Sequence, residues 1–261
     1  MAAGAFAMRP RPQRVFDAVV VVPVYNHAAS ARQVLAQVAS QGLPCIVVDD
    51  GSDAVNAALL DTLAQAPGVT LLRLSPNQGK GVAVRAGMRA AAALGHSHAV
   101  QIDADGQHDA GQISAFVQAA REQPLALICG VPRYDASVPW GRLVGRYATH
   151  VWVWINTLSL AIRDSMCGFR VYPLATTIAL FDSEPTGTRM DFDTEVLVRL
   201  HWRGVAVVNR PTPVTYPHGG VSHFNLWHDN WLISCMHARL FFGMLRRAPH
   251  LIARRFARNL A

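Results

Sequence analysis

The sequence predicts an α/β fold: a doubly wound, mostly parallel sheet followed by a C-terminal helical tail. Three observations carry this. Short β-branched runs alternate with helix-length segments through the first half, the pattern of strand–helix–strand units with right-handed crossovers. The runs are near-continuously apolar, as strands covered on both faces are. The 261 residues are 51% hydrophobic and 16% charged, so the chain can bury a large core and does not read as disordered.

The elements follow in order. Residues 17–24 read as the first strand and 30–40 as a helix. Residues 45–48 form the second strand, followed by a helix over 54–65. A third strand covers 69–74, and an alanine-rich helix 79–94. Residues 98–102 give the fourth strand, 110–123 a helix and 125–129 the fifth strand. The second half changes character. Residues 139–162, rich in Trp, Tyr and Leu, read as one or two helices, and 167–172 as a short strand. Residues 191–203 form a helix with Val196, Leu197 and Leu200 on one side. Residues 205–208 and 213–216 read as two short strands. A long helix starts near Asn225, and Pro249 is expected to break it, because proline has no N–H to donate. The chain thus divides into a flexible segment at 1–16, one domain at 17–224 and a basic amphipathic tail at 225–261.

Charge and cysteine exclude several classes. The net charge is +7. From Asn230 onward there are six arginines (Arg239, Arg246, Arg247, Arg254, Arg255, Arg258) and no acid. The body is therefore near neutral, nucleic acid is not an expected partner, and the tail is expected to meet a surface. Cys45, Cys129, Cys167 and Cys235 are far apart with no C-x-x-C pair, which argues against a disulfide framework or a zinc site. No secretory signal precedes the first strand, and the apolar stretch from Val151 to Ile162 is too short to span a bilayer. A cytoplasmic protein, soluble or peripherally attached, is expected.

In an open parallel sheet, ligands bind beyond the carboxyl ends of the strands. Four consecutive ends carry polar, turn-forming residues. The first ends in Pro23, Val24, Tyr25 and Asn26, and the second in Asp49, Asp50, Gly51 and Ser52. The third is followed by Asn77, Gln78, Gly79, Lys80 and Gly81, and the fourth by Asp103, Ala104, Asp105, Gly106, Gln107 and His108. Asp103 and Asp105, one residue apart at a strand exit, can both turn toward one cation. Hard oxygen ligands suit Mg2+ or Mn2+ bridging the diphosphate of a nucleotide, and Gln107 adds a neutral ligand. Asp49 and Asp50 point to opposite sides, so one can accept from a base or ribose, while Ser52 or Asp53 caps the next helix. Tyr25 either stacks on a base or packs. Lys80, the only lysine, starts a helix in a Gly-x-Gly turn where amides and the helix dipole favour a phosphate. The P-loop and G-x-G-x-x-G patterns are absent.

In this order the motifs resemble family 2 glycosyltransferases of the GT-A fold, in the branch of dolichyl-phosphate mannose synthase and dolichyl-phosphate glucosyltransferase. The resemblance runs from Val19 to His223. It includes Asp103 to His108 as the D-x-D metal motif. It also includes 164–170 as a D-x-x-S-G-F-R stretch with Cys167 in place of Ser, and 192–195 as an F-D-x-E helix start. It implies that Asp103, Asp105 and Gln107 hold Mg2+ or Mn2+, and that Pro23, Tyr25, Asp49, Asp50, Lys80, Asp103 and Ala104 line the donor site. Arg133 matches an arginine near the phosphates. Arg170 is either a second such arginine or the buried partner of Asp164. Asp193 is a general base or acceptor-positioning acid, or else a helix N-terminal charge.

The implied activity is metal-dependent transfer of a sugar, with inversion, from a UDP- or GDP-sugar to a membrane-associated lipid or polyprenyl-phosphate acceptor. A sugar-nucleotide pyrophosphorylase or a non-catalytic sugar-nucleotide-binding module are the alternatives. The branch usually closes its domain with an arginine and then Gly-x-Ser-Lys. Here Ser222 is kept, but His223 replaces the lysine and His218 stands near the arginine's place. Neutral histidine is a weaker phosphate partner than lysine near neutral pH, so the two either handle a hydroxyl acceptor or close over the diphosphate. In the tail, helical spacing puts Ile252, Phe256 and Leu260 opposite Arg254, Arg255 and Arg258, a pattern suited to the cytoplasmic face of a membrane.

Overall fold

The structure is a computed structural model and describes residues 15–134, 140–215 and 225–259. Four strand–helix units and a fifth strand come first: β1 (Ala18–Val24), α1 (Ala28–Ser40), β2 (Cys45–Asp50), α2 (Ala54–Leu63), β3 (Val69–Leu74), α3 (Lys80–Ala93), β4 (His98–Gln101), α4 (Ile113–Glu122) and β5 (Leu127–Tyr134). The second half adds α5 (Trp140–Thr157), β6 (Arg170–Pro173), α6 (Leu174–Ser183), α7 (Phe192–Trp202), β7 (Val207–Val214) and α8 (Leu226–Asn259).

The seven strands form one sheet in the order β3-β2-β1-β4-β6-β5-β7. All neighbours are parallel except β6, which runs antiparallel to both β4 and β5. Strand β1 therefore sits between β2 and β4, where the winding reverses. That reversal opens a crevice at the carboxyl ends of β1, β2 and β4.

The apolar strands have the physical cause expected of them. Alternate residues of β1 feed two cores. Val19 and Val21 join Ile46, Val48 and helices α3, α7 and α8 on one face. Val20 and Val22 join Val47 and helices α1 and α4 on the other. Gly87 lets α3 lie close to the sheet; a Cβ there would stand 3.0 Å from Val48 Cγ2 and overlap Val21. Among the described residues all four cysteines are free. Burial pushes the thiols of Cys45, Cys129 and Cys167 up to about 12, so they stay protonated.

Three sequence expectations need correction. The helix does not break at Pro249: α8 continues through it to Asn259. Pro249 is on the solvent side, while Met244 and Leu251 on either side are buried in the core. Arg254 donates to the carbonyls of His201 (2.7 Å) and Trp202 (3.1 Å) at the end of α7. Tertiary anchoring outweighs one missing hydrogen bond. Second, the two short strands after residue 204 are one strand, β7, which has β5 as its only neighbouring strand in the sheet and meets the turn after β4 through a single bridge between Val214 and His108. An edge strand tolerates Pro211 and Pro213 because one row of its amides has no partner to meet. Third, α6 is an added helix between β6 and α7. The stretch at 139–162 holds the one helix α5, within the expectation of one or two.

Helices α5 and α8 both expose large apolar side chains. Tyr147, Val151 and Ile155 form a row on α5. Trp227, Trp231, Phe242, Leu245, Ile252 and Phe256 follow one another at helical spacing along α8. The two helices touch through the Trp152–Phe241 edge contact at 6.3 Å. No helix among the described residues is long and apolar enough to cross a membrane.

His237 lies on the buried side of α8, stacked on Trp152 at 6.0 Å. Burial pushes its imidazole pKa down to about 4, from an ordinary 6.5. The unfolded chain therefore takes up a proton below the ordinary value, and the folded chain does not until about pH 4. Stability from this group is present above pH 6.5 and lost as pH falls through that window. His237→Leu is expected to flatten the loss: the wild-type Tm should drop several degrees more than the variant's between about pH 7 and about pH 5.

Candidate active site

A cleft of 590 Å³ opens at the carboxyl ends of β1, β2 and β4. Pro23, Tyr25, Asp50, Lys80, Asp103, Ala104, Asp105, Gln107 and Asp193 all line it. These are nine of the expected site residues, brought together from five separate stretches of chain.

The strand ends are tied to one another before any ligand is considered. Asn26 turns the chain after β1 with φ +54°, a conformation its short polar side chain tolerates. Its Oδ1 accepts from the Asp53 amide at 2.8 Å, and its own amide donates to Ser52 Oγ at 3.0 Å. Asp53 caps α2 by accepting from the Asn56 amide at 2.9 Å. Asp49 and Asp50 do point opposite ways. Asp49 is not on the cleft: it accepts from Arg73 Nε and the Ser52 amide, both at 2.9 Å. Asp50 accepts from the Gln78 and Gly79 amides at 2.8 Å and from Asn77 Nδ2 at 2.9 Å. Burial raises its pKa and these amide bonds work against that rise.

The Gly-x-Gly turn does something other than expected. Beyond the two amides held by Asp50, Gly81 and Val82 donate to Thr188 O at 2.9 and 3.3 Å. Few amide donors remain there for a phosphate. The glycines instead make room for the loop ahead of α7. Gly79 has φ +99°, and a Cβ there would lie 2.5 Å from Thr188 O. At Gly81 a Cβ would lie 2.6 Å from Phe192 Cβ.

Lys80 points into an acid cluster. Its Nζ lies 2.8 Å from Asp103 and 2.9 Å from Asp193. Burial disfavours the ammonium, but the two carboxylates outweigh it and the Lys80 pKa is raised. Asp193, in the first turn of α7, also accepts from Gln101 Nε2 at 2.8 Å. Burial opposes its ionisation, yet Lys80 and Arg170 hold its pKa below the ordinary carboxylate value. Asp103 is pressed from behind by Gly168, where a Cβ would stand 2.8 Å from the Asp103 Cγ.

Asp105 Oδ1 accepts from the Gln107 amide at 3.0 Å. Burial first, and repulsion from Asp103 second, push its carboxyl up to about 6. Two crowded carboxylates with a neutral amide beside them are a donor set for a hard divalent cation. Among the described residues no three or more His, Cys, Asp or Glu side chains are placed so that together they could hold a metal ion. Such a cation would take its remaining ligands from water and substrate phosphates, as Mg2+ commonly does. The residues present fit that arrangement.

Arg170 and Arg133 are placed differently from expectation. Arg170 is fully buried and does not reach the cleft. It does not pair with Asp164. Its guanidinium donates to Asp193 O at 2.5 Å, Ser165 O at 2.7 Å and Tyr172 OH at 3.2 Å, so it supports Asp193 from beneath. Arg146 takes Asp164 instead, with two contacts of 2.6 Å. Asp164 also accepts from the Met166 and Cys167 amides at 3.0 and 2.8 Å, which shapes the loop carrying Met166 and Gly168. Arg133 is exposed near the end of β5 and outside the cleft lining, because β6 separates β5 from β4. His218, Ser222 and His223 lie outside the described residues.

Sequence reasoning missed His27, Met166, Arg189, Met190 and Ile233 in the lining. The available signal was Arg189, a cation in the short loop that leads into α7 and Asp193. Met166 and Ile233 read as ordinary apolar positions.

The sequence profile described as Glycosyl transferase family 2 matches residues 19–186. The chain belongs to glycosyl transferase family 2. The polyprenol monophosphomannose synthase of Mycolicibacterium smegmatis is 27% identical over 212 residues, 78% of this transferase and 79% of that one. Glucosyl-3-phosphoglycerate synthase from Mycobacterium tuberculosis, solved with Mn2+ and UDP-glucose, has a TM-score of 0.61 at 17% identity. That match covers 89% of this chain and 79% of the other. A mannosyltransferase from Pyrobaculum calidifontis, solved with GDP-Man and Mn2+, has a TM-score of 0.60 at 16% identity, over 94% and 68% of the chains. The transferase shares their GT-A fold.

A substitution at Gly168 tests the packing behind Asp103. Gly168→Ala is expected to displace that carboxylate and lower transferase activity by roughly 100-fold, with Tm within a few degrees of wild type. Lys80→Met leaves Asp103 and Asp193 without their shared cation. Its Tm is expected to fall by an amount corresponding to about 3 kcal/mol, measured by thermal denaturation.

Proposed function

We propose that this family 2 transferase moves a sugar from a UDP- or GDP-sugar to a polyprenyl phosphate or related lipid acceptor, with inversion at the sugar carbon. The observation that carries this reading is the ion cluster in the cleft. Lys80 joins Asp103 to Asp193, and Asp105 stands beside them at the point where the sheet reverses its winding.

Each residue has a part in it. Tyr25 and Asp50, at the ends of β1 and β2, form the side of the cleft suited to the nucleoside. Asp103 and Asp105, with Gln107 adjacent, would hold Mg2+ or Mn2+. That ion would offset charge on the departing nucleoside diphosphate. In a single displacement the acceptor oxygen forms its bond to the sugar carbon as the diphosphate oxygen leaves, which inverts that carbon.

Asp193 bears on the acceptor. Its pKa is held low by Lys80 and Arg170, and an acid with a depressed pKa is a weak general base. A hydroxyl acceptor would need a base. A phosphate acceptor arrives as an anion and has no proton to give up. Asp193 then serves to orient Lys80 and the acceptor. The polyprenol-phosphate chemistry in the name of the M. smegmatis relative supports the same choice.

A lipid acceptor implies work at a membrane surface. The apolar row on α8 and its neighbour on α5 support peripheral contact through the C-terminal helix. Arg246 and Arg255 are exposed on that helix, whereas Arg247 stacks on Trp202 at 4.7 Å and Arg254 caps α7. A basic, aromatic-rich helix suits the anionic cytoplasmic leaflet.

Transfer from UDP- and GDP-sugars to a polyprenyl phosphate, assayed with and without Mn2+, tests the activity. Asp105→Ala is expected to reduce metal-dependent transfer by at least about 100-fold; unchanged activity would exclude the metal assignment. Paired Trp231→Ser and Phe242→Ser substitutions are expected to weaken binding to anionic vesicles about tenfold. Co-sedimentation would measure this, and transfer to a short water-soluble acceptor should be retained.

A further inference from the structure

Arg189 lines the cleft beside Lys80, but its charge is not neutralised within the cleft. The lining acids are Asp50, Asp103, Asp105 and Asp193. Lys80 is taken up by Asp103 and Asp193. Asp50 is occupied by Asn77, Gln78 and Gly79. Arg189 makes no ion pair with these four acids, although its charge works against the rise in the Asp50 pKa, and among the described residues it is pinned by one edge. Its Nε meets Asp229 Oδ1 at 3.3 Å. Asp229 is fully buried, in the first turn of α8, and its other oxygen accepts from the Asn225 amide at 2.7 Å. Among the described residues, neither terminal nitrogen of Arg189 meets a hydrogen-bond acceptor.

The side chain is also held along its length. Its amide donates to Asp191 Oδ1 at 3.1 Å. Its stem crosses Gly79, where a Cβ would come within 2.9 Å of the Arg189 Cγ. The neighbouring Thr188 carbonyl anchors the same loop to the start of α3. The guanidinium is thus oriented in advance, and little freedom remains to be lost on binding.

A guanidinium pinned through Nε still presents two terminal N–H groups in a planar fork. That fork matches a pair of phosphate oxygens and carries a permanent charge. We propose that Arg189 receives the phosphate oxygens of the ligand in this cleft, with Asp229 as its positioning residue. The proposal rests on the reading of the cleft as a nucleotide-sugar site. Two phosphates could fill the role: the diphosphate of the donor or the monophosphate of a lipid acceptor.

Calorimetric titration with Mn2+ separates them. Probes are UDP, GDP, uridine and guanosine, with wild type, Arg189→Met, Arg189→Lys, Asp229→Asn and Asp105→Ala. If the fork holds the donor, Arg189→Met weakens the favoured diphosphate about 10- to 100-fold and leaves its nucleoside unchanged. Arg189→Lys, which keeps charge without the fork, falls between, and so does Asp229→Asn. If the fork holds the acceptor, diphosphate binding is unchanged and the KM for polyprenyl phosphate rises by the same factor, with kcat little affected. Unchanged diphosphate affinity together with unchanged acceptor KM overturns the proposal. Equal weakening of nucleoside and diphosphate also overturns it, as the mark of a merely structural role. If Arg189→Met does not fold, Arg189→Lys decides by the same two readouts. Asp105→Ala keeps the two readings apart. Loss of metal-dependent binding there, with full binding in the Arg189 variants and unchanged acceptor KM, ends the Arg189 assignment and leaves the site reading intact. A wild-type protein that binds neither diphosphate ends both.

Discussion

The Lys80 ammonium stands 2.8 Å from Asp103 and 2.9 Å from Asp193, with most of its side chain out of water. Three elements meet at that point: the start of α3, the turn after β4 and the start of α7. Burying an unpaired carboxylate or ammonium costs several kcal/mol, so none of the three groups can sit there without the others. The cluster therefore fixes how the first half of the sheet meets the helix that carries Asp193. It also holds Asp103 beside Asp105, whose carboxyl is pushed up to about 6 by burial first and by Asp103 second.

Around the cluster, buried polar groups act through one another. Gln101 and Arg170 hold Asp193 from two sides. Asp164, gripped by Arg146, shapes the loop whose Gly168 backs Asp103. Asp50 gathers the turn before α3, and that turn's glycines admit the loop bearing Arg189. Few of these groups touch the cleft with a free atom. Their effect is orientation: a carboxylate displaced by an ångström no longer meets its cation or its substrate.

The C-terminal helix belongs to this frame as well as to the surface. Met236, Leu240, Met244 and Leu251 are buried in the core beneath the sheet. Ile233 reaches the cleft, and Asp229 holds Arg189. The opposite side of the same helix carries Trp227, Trp231, Phe242 and Phe256 into solvent. One helix thus joins the cleft to an apolar face, the arrangement that the proposed lipid acceptor calls for.

Much of this was legible in the residues. Apolar runs at strand length, separated by helix-length segments, determined the α/β class, because burial on both faces of a sheet demands them. The polar ends of four strands determined where the cleft would lie, since a parallel sheet aligns its carboxyl ends. That Asp103 and Asp105 would face the cleft could be read because their spacing and position are local. What only the tertiary structure decided is the set of partners. Arg170 lies beneath Asp193 while Arg146 takes Asp164. Asp49 turns from the cleft to Arg73, Arg133 is left outside it, and Arg189 enters it. Helix α8 passes through Pro249 because packing on both sides outweighs a local preference. Which buried charge meets which depends on distances between segments far apart in the chain, and a sequence read along its length does not contain those distances.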